Sequence, residues 1–224
     1  MLLDVPVGAD VFFTYPTPIL HRVWPDSAGL NTALKRILLA REQAAPQFRG
    51  PGLRRSNLGG WRSDPDLFDW PEPEIARLKQ MAVEAVALLQ RLSLGPNPKG
   101  RLRLDHNVAA WANINRSGAY NVVHNHPGQH WSGVYYVEAD APDPEQPLNG
   151  AFEFHDPRPA AGAMPIPGFP FGEKHVIQPR RGLMLAFPSW HQHMVHPYRG
   201  EGLRISIAFN VRLNSVQVVG DGRP

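Results

Sequence analysis

The sequence predicts a mainly β domain, a sandwich or jelly roll, buttressed by two N-terminal helices. From Leu102 onward the apolar residues recur with period two, the alternation of a half-buried strand. Ahead of that point, two stretches carry apolar residues at helical spacing. Prolines (24) and glycines (20) are abundant over 224 residues, which favours short strands and turns over a helical bundle. One domain is expected over 1–224, with 1–100 as an N-terminal strand and helical buttress and 101–215 as the β core.

The elements follow in order. Val11 to Leu20 is rich in aromatic and β-branched residues and reads as an opening strand, placed at a sheet edge by Pro16 and Pro18. Asp26-Ser27 offers an N-cap for a helix to about Gln43, with Leu30, Leu34, Ile37 and Leu38 as its stripe. A polar connection from Ala45 to Arg62 is either disordered or draped over a functional surface. Pro71-Glu72-Pro73-Glu74 opens a second helix to about Leu94, its stripe being Ile75, Leu78, Met81, Ala82, Ala85, Leu88 and Leu89.

Strands are expected over Asn107–Asn115, Ser132–Val137, Ala151–Phe154, His175–Ile177, Gly182–Phe187 and Arg204–Val211. In the first, Val108, Ala110, Ala112 and Ile114 make an apolar face, and the opposite face turns polar at Asn113 and Asn115. Two proline-rich loops interrupt the sheets, Ala141–Leu148 and Asp156–Gly172. The second, about 17 residues long, is a candidate lid.

Bulk properties exclude several functions. With no cysteine, disulfides and thiolate metal sites are impossible, so any metal must use imidazole, carboxylate or water. The net charge is +3 with the basic residues scattered, and no Lys/Arg stripe suggests a nucleic-acid partner. The amino terminus lacks a signal-peptide pattern and no run is long enough to span a membrane, so a cytoplasmic protein is expected.

Six of the ten histidines fall in two clusters: His124, His126 and His130, then His191, His193 and His196. His124 and His126, at i and i+2 on an extended segment, point to one side. An imidazole from the second cluster would close a three-point metal site, with His191 and His193 indistinguishable on spacing. Such a face suits Fe, and equally Zn, Cu or Ni. In the last strand Arg204, Ser206, Ala208 and Asn210 share one face, and Ile205, Ile207, Phe209 and Val211 share the other. An interior arginine needs an anionic partner: a bound carboxylate, or an internal ion pair with Glu153 or Asp105. His130-Trp131 and either Tyr135 or Tyr136 are candidates for the pocket wall, with core packing the ordinary reading of the tyrosines.

Gly118 to His126, Gly182 to Trp190, His193 and the run Arg204-Ile205-Ser206-Ile207-Ala208-Phe209-Asn210 resemble the 2-oxoglutarate/Fe(II)-dependent dioxygenases. Within them a branch of bacterial and phage oxygenases is the nearest resemblance. Tyr15 to Ile19 and Gly60-Trp61-Arg62-Ser63 are similar to that branch as well. The resemblance implies a double-stranded β-helix (a cupin-like jelly roll) and a hydroxylase using Fe(II) and 2-oxoglutarate. It implies His124 and His193 as metal ligands, and Arg204 with Ser206 on the far carboxylate of 2-oxoglutarate. Asn115 falls where prolyl-hydroxylase-like members carry a cosubstrate-binding tyrosine. His126 stands where the wider superfamily has aspartate. A three-histidine set of His124, His126 and His193 is therefore expected, with Glu153 completing the triad as the alternative. A non-catalytic cupin-like metal or carboxylate-binding module is the second functional reading. A zinc hydrolase would need a glutamate next to a ligand histidine, and none is present. The expected partner is a small-molecule or peptide substrate, with a homodimer as a possible assembly.

Overall fold

The alternation in the C-terminal half closes into two facing antiparallel sheets. The computed structural model describes residues 16–45, 56–94, 100–141, 143–158, 160, 163 and 174–220. In chain order these form β1 (Leu20–Val23), α1 (Ser27–Ala44), β2 (Asn57–Leu58), β3 (Trp61–Arg62), a 3-10 turn (Leu67–Asp69) and α2 (Pro73–Ser93). There follow β4 (Arg101–Asn115), β5 (Tyr120–His124), β6 (Trp131–Glu138), β7 (Phe152–Phe154), β8 (His175–Ile177), β9 (Leu183–Pro188), β10 (His193–Val195) and β11 (Arg204–Val219). The larger sheet runs β1-β9-β6-β11-β4-β3 and the smaller runs β2-β5-β10-β7-β8. This is the mainly β jelly roll with two buttressing helices.

Each strand of the larger sheet divides its side chains between two cores. Ala110, Ala112 and Ile114 of β4, Tyr135 and Val137 of β6, and Ile205, Ile207 and Phe209 of β11 face the helices. There they meet Leu30, Leu34 and Leu38 of α1 and Ile75, Leu78, Ala82, Ala85 and Leu89 of α2. Burial of each large aliphatic contributes roughly 1.5–3 kcal/mol. The opposite parity faces the smaller sheet: Val134, Tyr136, Leu183, Leu185 and Phe187 pack on Phe152, Phe154, Ile177 and Val195. On the helix-facing side of β6 Gly133 is required, since a Cβ there would lie 2.2 Å from Cζ of Phe209.

Several boundaries differ from expectation. The opening strand starts only at Leu20, after Pro16 and Pro18, which have no N–H for a ladder; Val11–Tyr15 lie outside the described residues. It is, as expected, an edge strand. Asp26 stands at the N-cap of α1 in the left-handed conformation and makes no side-chain cap bond. Leu88 of α2 is 38% exposed whereas Val86 is buried, because Leu88 falls beyond Met81 at the margin of the apolar arc. β4 and β11 run on as a two-stranded ribbon to Arg101 and Val219. The connection from Ala45 contains two two-residue strands, β2 on the edge of the smaller sheet against β5 and β3 on the edge of the larger against β4, with residues 46–55 outside the described residues. The loop expected over Asp156–Gly172 also falls largely outside them. Among the described residues no helix is long and apolar enough to cross a membrane.

Candidate metal centre

The two histidine clusters meet because β5 and β10 are neighbours in the smaller sheet. His193 is the Cα partner of His124 on one side and of Phe154 on the other. His126 lies two residues past the end of β5, where its N–H donates to the Ser189 carbonyl (2.9 Å). Ring centroids lie 4.3 Å apart for His124 and His193, 5.0 Å for His124 and His126, and 5.2 Å for His126 and His193. One nitrogen from each ring falls within 4.8 Å of the others, the arrangement of three ligands around one ion.

Hydrogen bonds orient two of the rings. Nδ1 of His124 lies 2.7 Å from the Val122 carbonyl, and Nδ1 of His193 lies 2.8 Å from the His191 carbonyl. A carbonyl can only accept, so both Nδ1 atoms carry the proton and both Nε2 lone pairs are left for a metal. Phe152 stacks on the His193 ring at 5.2 Å and Phe187 meets it edge-on at 4.8 Å. Burial pushes all three imidazoles below their ordinary pKa. For His126 it acts with the charges of His124 and Arg62 to bring the value to about 3. The neutral, metal-binding form is favoured at every ring.

Beside the triad a recess opens between the sheets, lined by Tyr136, Val195, Arg204, Ser206 and Asn113 as well as the three histidines. Arg204 is 2% exposed. Its Nε donates to the Gly150 carbonyl (3.0 Å), its Cζ lies 5.1 Å from the Tyr136 ring, and its Nη2 is buried without a partner. The Tyr136 hydroxyl is likewise buried and without a partner of hydrogen-bond geometry. Burial lowers the guanidinium's pKa and raises that of the phenol. Among the described residues Arg204 makes no ion pair: Glu153 instead meets His196 (2.7 Å), His155 and Lys174 (3.2 Å each), and Asp105 accepts from Asn214. A buried cation with an idle N–H, next to an idle hydroxyl, is a site for a carboxylate. Three neutral imidazoles and this pair of orphaned donors fit iron(II) with 2-oxoglutarate.

The remaining candidates divide clearly. Glu153 does not join the triad, because it is the Cα partner of Met194 and so points to the opposite side of the sheet from His193. His191 stacks on Phe154 at 4.5 Å, with its Nε2 on the His155 carbonyl. His196 is tied to Glu153. His130 accepts from the Leu213 N–H, and Trp131 donates to Gln90, so neither lines the recess. Asn115 is the Cα partner of Arg204 and fully buried, both amide atoms without a partner; the asparagines lining the recess are Asn113 and Asn121. Of the two tyrosines that the sequence offered for the pocket wall, Tyr136 lines the recess. Its strand is buried on both faces, so alternation could not separate it from Tyr135, which faces α1 and donates to Asn31 (2.6 Å).

Fold and site together define a jelly roll with three imidazoles placed as for one metal ion next to a buried arginine. Residues 109–210, which carry His124, His126, Tyr136, His193, Arg204 and Ser206, match the family described as "Putative 2OG-Fe(II) oxygenase". That match spans a little under half of the chain and takes in the β core that carries the candidate ligands. Among solved structures it is similar to a Pseudomonas putida prolyl-4-hydroxylase, at 19% identity over 88% of this chain and 93% of that one, TM-score 0.56. It is similar also to HygX from Streptomyces hygroscopicus with nickel and 2-oxoglutarate bound (17%, 88% and 84%, TM-score 0.53). A third is the viral collagen prolyl hydroxylase vCPH from Paramecium Bursaria Chlorella virus-1 (11%, 88% and 96%, TM-score 0.54). At these identities the likeness shows the fold alone. No curated protein matches the chain.

Proposed function

We propose that His124, His126 and His193 hold the iron, that Arg204, Tyr136 and Ser206 hold the far carboxylate of 2-oxoglutarate, and that the reaction is hydroxylation of a small-molecule or peptide substrate. The observation that carries this reading is the pairing of the imidazole triad with an unpartnered, buried guanidinium in one recess. When bound, iron(II) with 2-oxoglutarate supplies the oxidation of a substrate C–H bond by dioxygen.

The chain's own residues contribute position and electrostatics. The Val122 and His191 carbonyls fix the tautomers of His124 and His193, so these rings need no rearrangement to coordinate. Gly150 holds the Arg204 fork with Nη2 facing an anion, and the phenol of Tyr136 adds a neutral donor to the same carboxylate. Phe152, Phe187 and Val134 keep water from the recess, which strengthens each of these contacts. Asn115, beside Arg204 with an unpartnered amide, stays in the proposal as a neighbour of that end. The three imidazoles carry no charge of their own, so a dianionic cosubstrate balances a divalent ion where an aspartate-bearing triad would leave one negative charge over. A cytoplasmic setting, where Fe(II) and 2-oxoglutarate are both available, belongs to the same proposal.

The test is anaerobic reconstitution with Fe(II) and absorbance with and without 2-oxoglutarate. A visible charge-transfer band that needs both supports the oxygenase assignment. Metal uptake without such a band, and no succinate formed in air, would leave a non-catalytic cupin-like binding module.

A further inference from the structure

In its first half β4 alternates Arg101, Arg103, Asp105 and Asn107 with Leu102, Leu104, His106 and Val108. The second set has the parity of Ala110, Ala112 and Ile114, so it lies on the side of the sheet that the helices cover. β11 would lose that phase after Leu213, where Asn214 and Ser215 follow. A bulge between Leu213 and Ser215 restores it: Val216 falls opposite Leu104 and Val218 opposite Leu102. The ribbon therefore carries four aliphatic side chains on one face, beyond the pairing with β6, which stops at Val211. None of the four is buried, and Val218 is 49% exposed. Arg91 ties the ribbon's tip to the end of α2, its Nη1 donating to the Gly100 carbonyl (2.9 Å), and there Leu92 and Leu94 are exposed as well. A two-stranded ribbon is marginal in water unless its apolar face meets a further surface.

On the side away from β11, β4 meets β3 only at Asn113 and Ile114, and Asp66 at Ala110. Before Ala110 no strand lies along that edge among the described residues. Ala110 donates to Pro65 and Ala112 accepts from Ser63 on this side, so Leu102, Leu104 and His106 present their N–H and C=O groups to the open edge. The Leu104 carbonyl has the His106 Nδ1 at 3.3 Å, a long contact that a backbone bond can replace. Charges on an open edge ordinarily keep other chains away. Their order here makes β4 its own complement. With Leu104 facing Leu104 of a second copy in antiparallel array, Arg103 stands opposite Asp105 twice and no like charges meet. Moving the centre by one residue sets Arg103 against Arg103, or Asp105 against Asp105. Among the described residues neither is in an ion pair within the chain; Asp105 accepts from the Asn214 amide at 3.3 Å.

We propose that the free edge of β4 is the two-fold interface of a homodimer, paired about Leu104. The two ribbons then form one array, β11-β4-β4-β11, with the aliphatic residues of both copies joined on one side. This interface lies at the far end of β4 from Asn113, which lines the recess. Sedimentation velocity of the full chain should show a concentration-dependent dimer. Arg103→Asp and Asp105→Arg should each weaken it about tenfold or more, because both symmetric pairs turn repulsive. Mixed in equal amounts, the two variants should associate with each other about as tightly as the unsubstituted chain does with itself. The register has its own readout, since the chain has no cysteine. Leu104→Cys should cross-link to itself on mild oxidation, its two Cα atoms lying about 5.5 Å apart, whereas Leu102→Cys should not. A chain that stays monomeric up to about 1 mM, its ribbon covered by its own residues or by another partner, overturns the proposal. So does a dimer indifferent to both reversals, a mixture no tighter than either variant alone, or cross-linking that prefers Leu102→Cys. The cross-linking decides even if a charge variant does not fold.

Discussion

His193 sits directly across from His124 on adjoining antiparallel strands, and their rings lie 4.3 Å apart. Register fixes this pair, and His126, two residues past β5, is held beside it by its N–H on the Ser189 carbonyl. Replacing His124, His126 or His193 by alanine should each lower metal affinity by more than about 100-fold, since loss of a mere supporting group already costs about 10–100-fold. His191→Ala should retain affinity within a few-fold, because only its backbone carbonyl supports the His193 ring. Metal titration of the four variants checks this.

Arg204 gives a prediction with opposite signs in two measurements. In Arg204→Met the apo protein should be at least as stable as the unsubstituted one, because a buried cation without a carboxylate partner is removed. Affinity for 2-oxoglutarate should fall by about 2–5 kcal/mol, the cost of truncating one partner of a buried charge pair. Chemical denaturation and calorimetry measure the two separately.

Tyr136→Phe deletes a buried hydroxyl whose protein neighbour is the Arg204 guanidinium. Apo stability should change little, and 2-oxoglutarate binding should weaken by about 0.5–1.5 kcal/mol, the net worth of one hydrogen bond. Tyr135→Phe, which loses a buried bond to Asn31, should do the reverse.

The triad also makes stability pH-dependent. Burial holds all three imidazoles below 6.5, His126 at about 3. Unfolding restores the ordinary value, so the unfolded chain binds more protons at mildly acidic pH. The triad's contribution is complete above about pH 6.5 and is lost as pH falls from there through the folded values. Denaturant midpoints of the apo protein should decline over that window, and His126→Gln should flatten the decline.

What the sequence disclosed follows the strength of its patterns. His124 with His126, and Arg204 with Ser206, were legible because period-two spacing assigns a face without any knowledge of the partner strand. The choice of His193 over His191 was not, since both share a parity; β10 begins at His193 and leaves His191 in the turn before it. Tyr136 could not be told from Tyr135 on a strand buried on both faces. β2 and β3 were hidden because each is two residues long and set by its pairing with β5 and β4, while the Asn57 and Ser63 side chains that add bonds to β4 read as loop. The overlong end of β11 loses its alternation at the bulge after Leu213 and is set by pairing with β4.

The most direct measurement is a crystal structure of the protein with zinc or manganese and 2-oxoglutarate, with the ion located by anomalous scattering. The expected result is one ion bonded to Nε2 of His124, His126 and His193 at about 2.1 Å, with a 2-oxoglutarate carboxylate on Arg204 and Tyr136. An ion that leaves His126 free, or a cosubstrate anchored away from Arg204, would contradict it.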